Sequence, residues 1–366
     1  MKLAAKLWRI SWRIGLCAIL LGWVFHTIFL KEGALFVERS GQVWTELSRW
    51  QQAQEGWTHG PRELWAVLER LDPAYGLLSL VFMGLTILIG MLRWRKVLLV
   101  QDIRLSVGRA SEISLVAHFF NSLLLGSTGG DLVKAFYAAR ETHHLKTEAV
   151  VTVFVDRLIG LLSMLVFATA MMLPNLALLT AHRPLAGLAL LIVLMLLAGG
   201  MFTILSFWGG ISRRWPQARL WLRKAPKGEV LERSLDACRR FGQEPLFLVR
   251  AFGLSMVLNV ACVLQVWALA RGLGLVVDPV VLFVVVPVII CISALPITPS
   301  GLGVRENLYV LMLAEIGIHA TQALSLSLLA YAGSLFWSVV GGLVYVTFKE
   351  RHHLREVVTA EQAAGN

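Results

Sequence analysis

Asp156 and Arg157 stand side by side in the otherwise apolar run 149–173. An ionisable side chain at the centre of a membrane-spanning helix costs at least ~2.5 kcal/mol unless paired. Adjacent helical residues point about 100° apart, so these two cannot fully satisfy one another. They call for opposite charges from elsewhere in the chain. Two glycine-rich breaks carry such charges. The first is N-S-L-L-L-G-S-T-G-G-D-L-V-K, Asn121 to Lys134. Its glycines, Gly129 and Gly130 among them, let the backbone leave a helix and turn N–H groups toward an anion. Asp131 and Lys134 follow at i, i+3, on one helical face. The segment is not a P-loop, because G-K-[ST] is absent. Its alternative reading is a turn capped by Ser127 or Thr128. The second break is L-P-I-T-P-S-G-L-G-V-R-E, Leu295 to Glu306. Pro296, Pro299, Gly301 and Gly303 forbid a continuous helix, and Arg305 and Glu306 follow at the start of an apolar half-span. Its alternative is a loop that turns the chain at the interface. Lys134 and Arg305 are the expected partners of Asp156, and Asp131 and Glu306 those of Arg157. The same network also reads as purely structural.

The elements that position these residues follow from hydropathy. Of 366 residues 57% are hydrophobic and 16% charged, and the mean hydropathy is +0.69. Soluble domains carry about 25% charge. Nearly uncharged runs stand at 14–30, 76–92, 184–207, 246–270, 280–297 and 321–347. Lipid offers no partner to backbone polar groups, so such runs must be helices. The expected fold is all-α: a polytopic transmembrane bundle of six full spans plus two re-entrant or broken pairs, one single membrane domain over 1–366. Lys2, Lys6, Arg9 and Arg13 precede the first run and resemble a signal peptide, but the run is long and reads as a retained span.

The net charge of +11 lies mostly in short loops. Residues 93–111 and 208–245 are basic, the latter with nine Lys/Arg against four Asp/Glu, and are expected on the cytoplasmic side with both termini. Residues 31–75, with five basic and seven acidic side chains, are expected outside as short interfacial helices broken at Gly56 and Gly60-Pro61. Basic loops attract anionic inner-leaflet lipids. No basic stretch has the interleaved aromatics of a nucleic-acid surface. Cys17, Cys238, Cys262 and Cys291 lack metal or disulfide spacing, and no H-E-x-x-H occurs, so neither metal nor cofactor is expected.

A shift of 172 residues lays span 76–92 inside 246–270, span 149–173 on 321–347, Leu123 on Leu295 and Gly129 on Gly301. The charge rule gives the two copies opposite orientation, the footprint of an inverted repeat. The expected organisation is 1–75 as first span and outer segment, 76–173 as repeat A, 174–245 as a span and basic loop, 246–347 as repeat B and 348–366 as a tail.

Arg93-Trp94, Asn121 with G-G-D and Lys134, Asp156-Arg157-Leu158, and L-P-I-T-P-S-G-L-G-V-R-E, in that order, resemble the lysylphosphatidylglycerol synthase transmembrane-region family of flippase-like membrane proteins. The likeness covers about 76–347. The family usually has Arg or Lys at the place of Lys134 and Glu or Asp at that of Asp156. It often has a proline near the first break, where this chain has Leu124-Leu125. The resemblance implies lipid handling in the cell membrane. The soluble aminoacyl-transfer half of the family's synthases is expected to be missing, since only 348–366 follow the last span.

The expected function is binding and translocation of a phospholipid or glycolipid headgroup at the two breaks, near Lys134, Arg157 and Arg305. The alternatives are an intramembrane enzyme using Asp131, Asp156 or Glu306, and a scaffold for a partner synthase. No nucleophile–base pair supports the enzyme.

Overall fold

In the computed structural model the described residues are 43–123, 129–142, 145–176, 183–207, 228–295 and 303–347, with scattered positions in 26–41. Most of the first apolar run, both termini, Gly126 to Thr128, Trp215, Trp221, Pro296, Pro299 and Gly301 lie outside them.

Eleven α-helices are found among the described residues, and no strand: α1 Arg49–Arg70, α2 Pro73–Val100, α3 Val107–Leu123, α4 Gly129–Arg140, α5 Lys146–Met172, α6 Arg183–Phe207, α7 Gly228–Gly242, α8 Pro245–Gly272, α9 Pro279–Ser293, α10 Val304–Ala314 and α11 Ala320–Thr347. Five stretches are long and apolar enough to cross a membrane: Pro73–Val100, Lys146–Asn175, Leu185–Phe207, Pro245–Gly272 and Gln322–Thr347. The chain is a polytopic helical bundle. Two starts are set by proline after aspartate: Asp72 and Asp278 accept from the N–H groups of Ala74 and Val280 at 2.8 and 2.9 Å.

The segments flanking the breaks are short. At 1.5 Å per residue, the 12 residues of α4, 15 of α9 and 11 of α10 span about 18, 22 and 16 Å, below the ~30 Å of a hydrocarbon core. α3 and α4 fold back as a hairpin closed at its base. Arg109, at the start of α3, meets Glu141, just past the end of α4, at 2.5 Å. The end of α4 thus returns beside the start of α3.

α2–α3–α4–α5 and α8–α9–α10–α11 each read long, short, short, long. Their packing corresponds helix for helix. α3 packs on α11 as α9 packs on α5. α8 packs on α5 as α2 packs on α11. α2 and α8, the matching first helices, pack on each other. This is the pattern that a twofold relation between the sets would give. Close approach rests on small residues. A Cβ on Gly341 of α11 would lie 2.2 Å from the Leu115 carbonyl oxygen of α3. One on Gly84 of α2 would lie 2.4 Å from the Trp337 ring. α6 packs on α5, α7 and α9, and turns Leu190, Leu194, Leu197 and Met201 outward.

Two expectations change. The second span does not end at Leu92: α2 continues through Arg93–Lys96 to Val100, because Arg93 and Trp94 face the interior. The segment before it is not split at Gly56 and Gly60-Pro61. α1 runs through them, and both glycines lie against the preceding segment, where a Cβ on Gly60 would stand 2.6 Å from Phe29 Cα.

Candidate functional site

Asp156 sits in the first half of α5, with its side chain 9% exposed. Two cations from other helices reach it. Arg93 of α2 places Nε 2.8 Å from Oδ1, and Lys134 of α4 places Nζ 3.3 Å from Oδ2. Arg93 also donates from Nη1 to Ser255 Oγ of α8 at 2.9 Å. Gly160, one turn along α5 from Asp156, leaves room for the guanidinium: a Cβ there would stand 3.0 Å from Nη2. Lys134 Nζ also lies over the Trp94 ring, 4.3 Å from its centroid, a cation–π contact in a dry setting. Asp156 therefore ties α2, α4 and α5 together.

Arg157 points away from its neighbour, as helical geometry requires, and its Nε lies 3.7 Å from Asp131 Oδ2 of α4. This pair is looser and wetter, with side chains 32% and 26% exposed. Asn121, near the end of α3, accepts the Gly130 N–H at 2.8 Å through Oδ1 and fixes the start of α4. Gly130 has no space for a side chain: a Cβ would be 2.0 Å from the Ala117 carbonyl oxygen. Gly129 is buried beside it. Asn121, Asp131, Lys134, Asp156 and Arg157 line one open cavity of about 300 Å³, together with His118 and residues of α2, α3 and α8.

At the second break Gly303 begins α10 with φ +88°, a conformation suited to glycine. Glu306 accepts the Gly303 N–H and pairs through Oε1 with Arg305 Nη2 at 2.7 Å. Arg305 further donates to Ser327 Oγ at 3.2 Å and lies over the Tyr331 ring at 4.6 Å. The Tyr331 hydroxyl donates to the Ser122 carbonyl oxygen at 3.2 Å. One α11 side chain thus touches both the end of α3 and the start of α10.

The expected pairings Lys134–Asp156 and Asp131–Arg157 are present. Glu306, expected at Arg157, is found instead with Arg305 and the Gly303 N–H, because G-V-R-E places a carboxylate three residues past Gly303, where it reaches back to that N–H at the helix start. Arg305, expected at Asp156, gives way to Arg93. Arg305 and Glu306 are not among the described lining residues of the 300 Å³ cavity. Sequence reasoning passed over Arg93 as a site residue because it stands with Arg95 and Lys96 at the end of an apolar run. Its one signal was its place in the family resemblance. Among the described residues no group of three His, Cys, Asp or Glu side chains is placed to hold a metal.

The two helices of the first break, meeting around buried charges inside a bundle of apolar spans, define a polytopic membrane protein with a polar cavity among its helices. The chain belongs to the Lysylphosphatidylglycerol synthase TM region family, which matches residues 56–342. It is also similar to the UPF0104 membrane protein PH1989 of Pyrococcus horikoshii, at 24% identity over 310 residues, covering 79% of this chain and 91% of the relative. No solved structure matches it.

Proposed function

We propose that this protein binds a lipid or lipid-linked headgroup in the chamber beside the first break and carries it across the membrane. The observation that supports this is the chamber: four ionisable side chains, Asp131, Lys134, Asp156 and Arg157, line one space among membrane-spanning helices. Such charges mark substrate pathways more often than packing. The second break, with Arg305, is the matching element on the other approach, as in transporters built from paired discontinuous helices. Acyl chains stay in the bilayer while the headgroup passes. The protein itself carries out no chemistry on the lipid. Both chamber carboxylates face cations, which suits holding charge rather than shuttling a proton. Both termini and the loop at 208–245 face the cytoplasm, and the basic loops meet anionic inner-leaflet lipids.

The test is headgroup translocation in vesicles reconstituted with purified protein, using lipids labelled on the headgroup. Accelerated loss of leaflet asymmetry, abolished by Lys134→Met in a folded protein, is expected. Rates equal to protein-free vesicles for every lipid class overturn the proposal and favour a scaffold for a partner synthase. A chemically altered lipid favours the enzyme.

A further inference from the structure

Helix α1, Arg49–Arg70, stands outside the main helix packing of the bundle. It holds three large side chains in the open: Trp50, Trp57 and Trp65 are 78%, 51% and 64% exposed. At roughly 100° per residue the three fall within about 80° of one another. Glu55, His59, Arg62 and Arg70 fall within about 80° of one another on the far side. Gly56 and Gly60 occupy the flank between, against Leu30 and Phe29. One side of α1 is therefore indole and the opposite side is charged.

Both attachments of α1 lie at the ends of apolar spans. Phe29 and Leu30 close the first apolar run, 14–30. At the other end, a Cβ on Gly272 would stand 2.6 Å from Leu71 Cδ1, and the Asp72 N–H donates to the Gly272 carbonyl oxygen at 3.0 Å. Gly272 ends the span Pro245–Gly272, and Pro73 begins the span Pro73–Val100. α1 is not among the stretches apolar enough to cross a membrane. The two attachments put it along the membrane boundary, where a helix has one side in water and one in lipid. The charged side requires the water. Indoles suit the other side, since each joins an apolar body to a single N–H donor. Trp57 and Trp65 donate theirs to His26 and Glu69, which leaves the rings free to enter the acyl boundary. Beyond Pro73 the exposed Leu77, Val81, Leu85 and Leu88 of α2 continue this apolar surface into the bilayer. Charge does not drive the contact, because Arg49, Arg62 and Arg70 are balanced by Glu55, Glu63 and Glu69.

We propose that α1 is a membrane-surface anchor. Its tryptophan side lies at the headgroup–acyl boundary of the leaflet where α2 begins, and it holds the tips of α2 and α8 at a fixed depth. The anchor takes zwitterionic and anionic lipid alike, and it operates whatever the chamber binds.

The test places single nitroxide labels on full-length protein in which Cys17, Cys238, Cys262 and Cys291 are replaced by alanine. Positions 50, 54 and 65 sample the tryptophan side, and 55 and 62 the charged side. Collision with oxygen, which concentrates in lipid, is compared with collision with a water-soluble nickel chelate in reconstituted vesicles. Oxygen is expected to exceed nickel at 50, 54 and 65, and nickel to exceed oxygen at 55 and 62. The pattern is expected to be the same in phosphatidylcholine and in phosphatidylcholine mixed with phosphatidylglycerol. Trp57→Ser with Trp65→Ser is expected to remove the oxygen excess at position 54. A second reading needs no cysteine replacement: lipid brominated near the headgroup quenches tryptophan emission. The triple variant Trp50→Phe, Trp57→Phe, Trp65→Phe is expected to lose part of that quenched emission. Nickel in excess at 50, 54 and 65 overturns the proposal and leaves this side free for a soluble partner. Oxygen excess confined to anionic vesicles, dipolar broadening between labels on two copies, or unchanged bromolipid quenching in the triple variant also overturns it.

Discussion

Asp156→Asn removes one charge and almost no volume, and it tests whether the triad holds the bundle together. In the wild type the carboxylate neutralises Arg93 at 2.8 Å and Lys134 at 3.3 Å, and all three side chains are at most 11% exposed. The amide accepts a hydrogen bond but leaves two cations from α2 and α4 without their shared partner, with only Asp131 of the same cavity left to offset them. Breaking a buried ion pair by removing one partner costs about 3–5 kcal/mol, because the remaining charge stays buried. Here one deletion removes the shared partner of two cations, so a loss within that range is expected. Equilibrium unfolding in mixed lipid–denaturing-detergent micelles measures it. Arg93→Met, combined with Asp156→Asn, restores part of the loss, with a coupling energy of about 1–3 kcal/mol as found for side chains in contact. Near-wild-type stability of Asp156→Asn, together with additive single and double variants, would refute a structural triad.

Gly130→Ala places a methyl group 2.0 Å from the Ala117 carbonyl oxygen, so α4 must move off α3. A loss of about 1–3 kcal/mol or more is expected in the same unfolding measurement. Glu306→Ala removes the Gly303 cap and the partner of Arg305, and is expected to lower thermal stability more than Arg305→Ala. The cap alone is worth about 0.5–2 kcal/mol. Arg305→Ala is expected to fold and to slow translocation, and normal transport by a stable Arg305→Ala removes that residue from the pathway. A single cysteine at position 223 in a cysteine-free background is expected to react with impermeant reagent only from the cytoplasmic side. Labelling in intact cells inverts the topology.

Much of this organisation is legible in the sequence because lipid imposes so few solutions. Apolar runs had to be helices, and the cost of Asp156 and Arg157 had to be met, which pointed to Lys134 and Asp131 across the break. α2 and α8, which the 172-residue register superposes, pack against each other. Arg93 escaped because charge at the end of an apolar run reads as a loop, and only packing reveals that α2 continues with Trp94 fully buried. Charge matching across the chain points Glu306 to Arg157, whereas the nearer Gly303 N–H and Arg305 take it.

The two halves match in packing but not in chemistry. The residue 172 positions beyond Arg93 is Gln265, which donates to the Ala330 carbonyl oxygen at 3.5 Å. What differs between the halves is therefore bridged by Tyr331. Its ring supports Arg305 and its hydroxyl holds the end of α3. A displacement of α10 that spares this residue leaves α3 in place. A displacement of α11 disturbs both breaks in the same stroke. The last long helix thereby ties the end of α3 to the start of α10 through one tyrosine side chain.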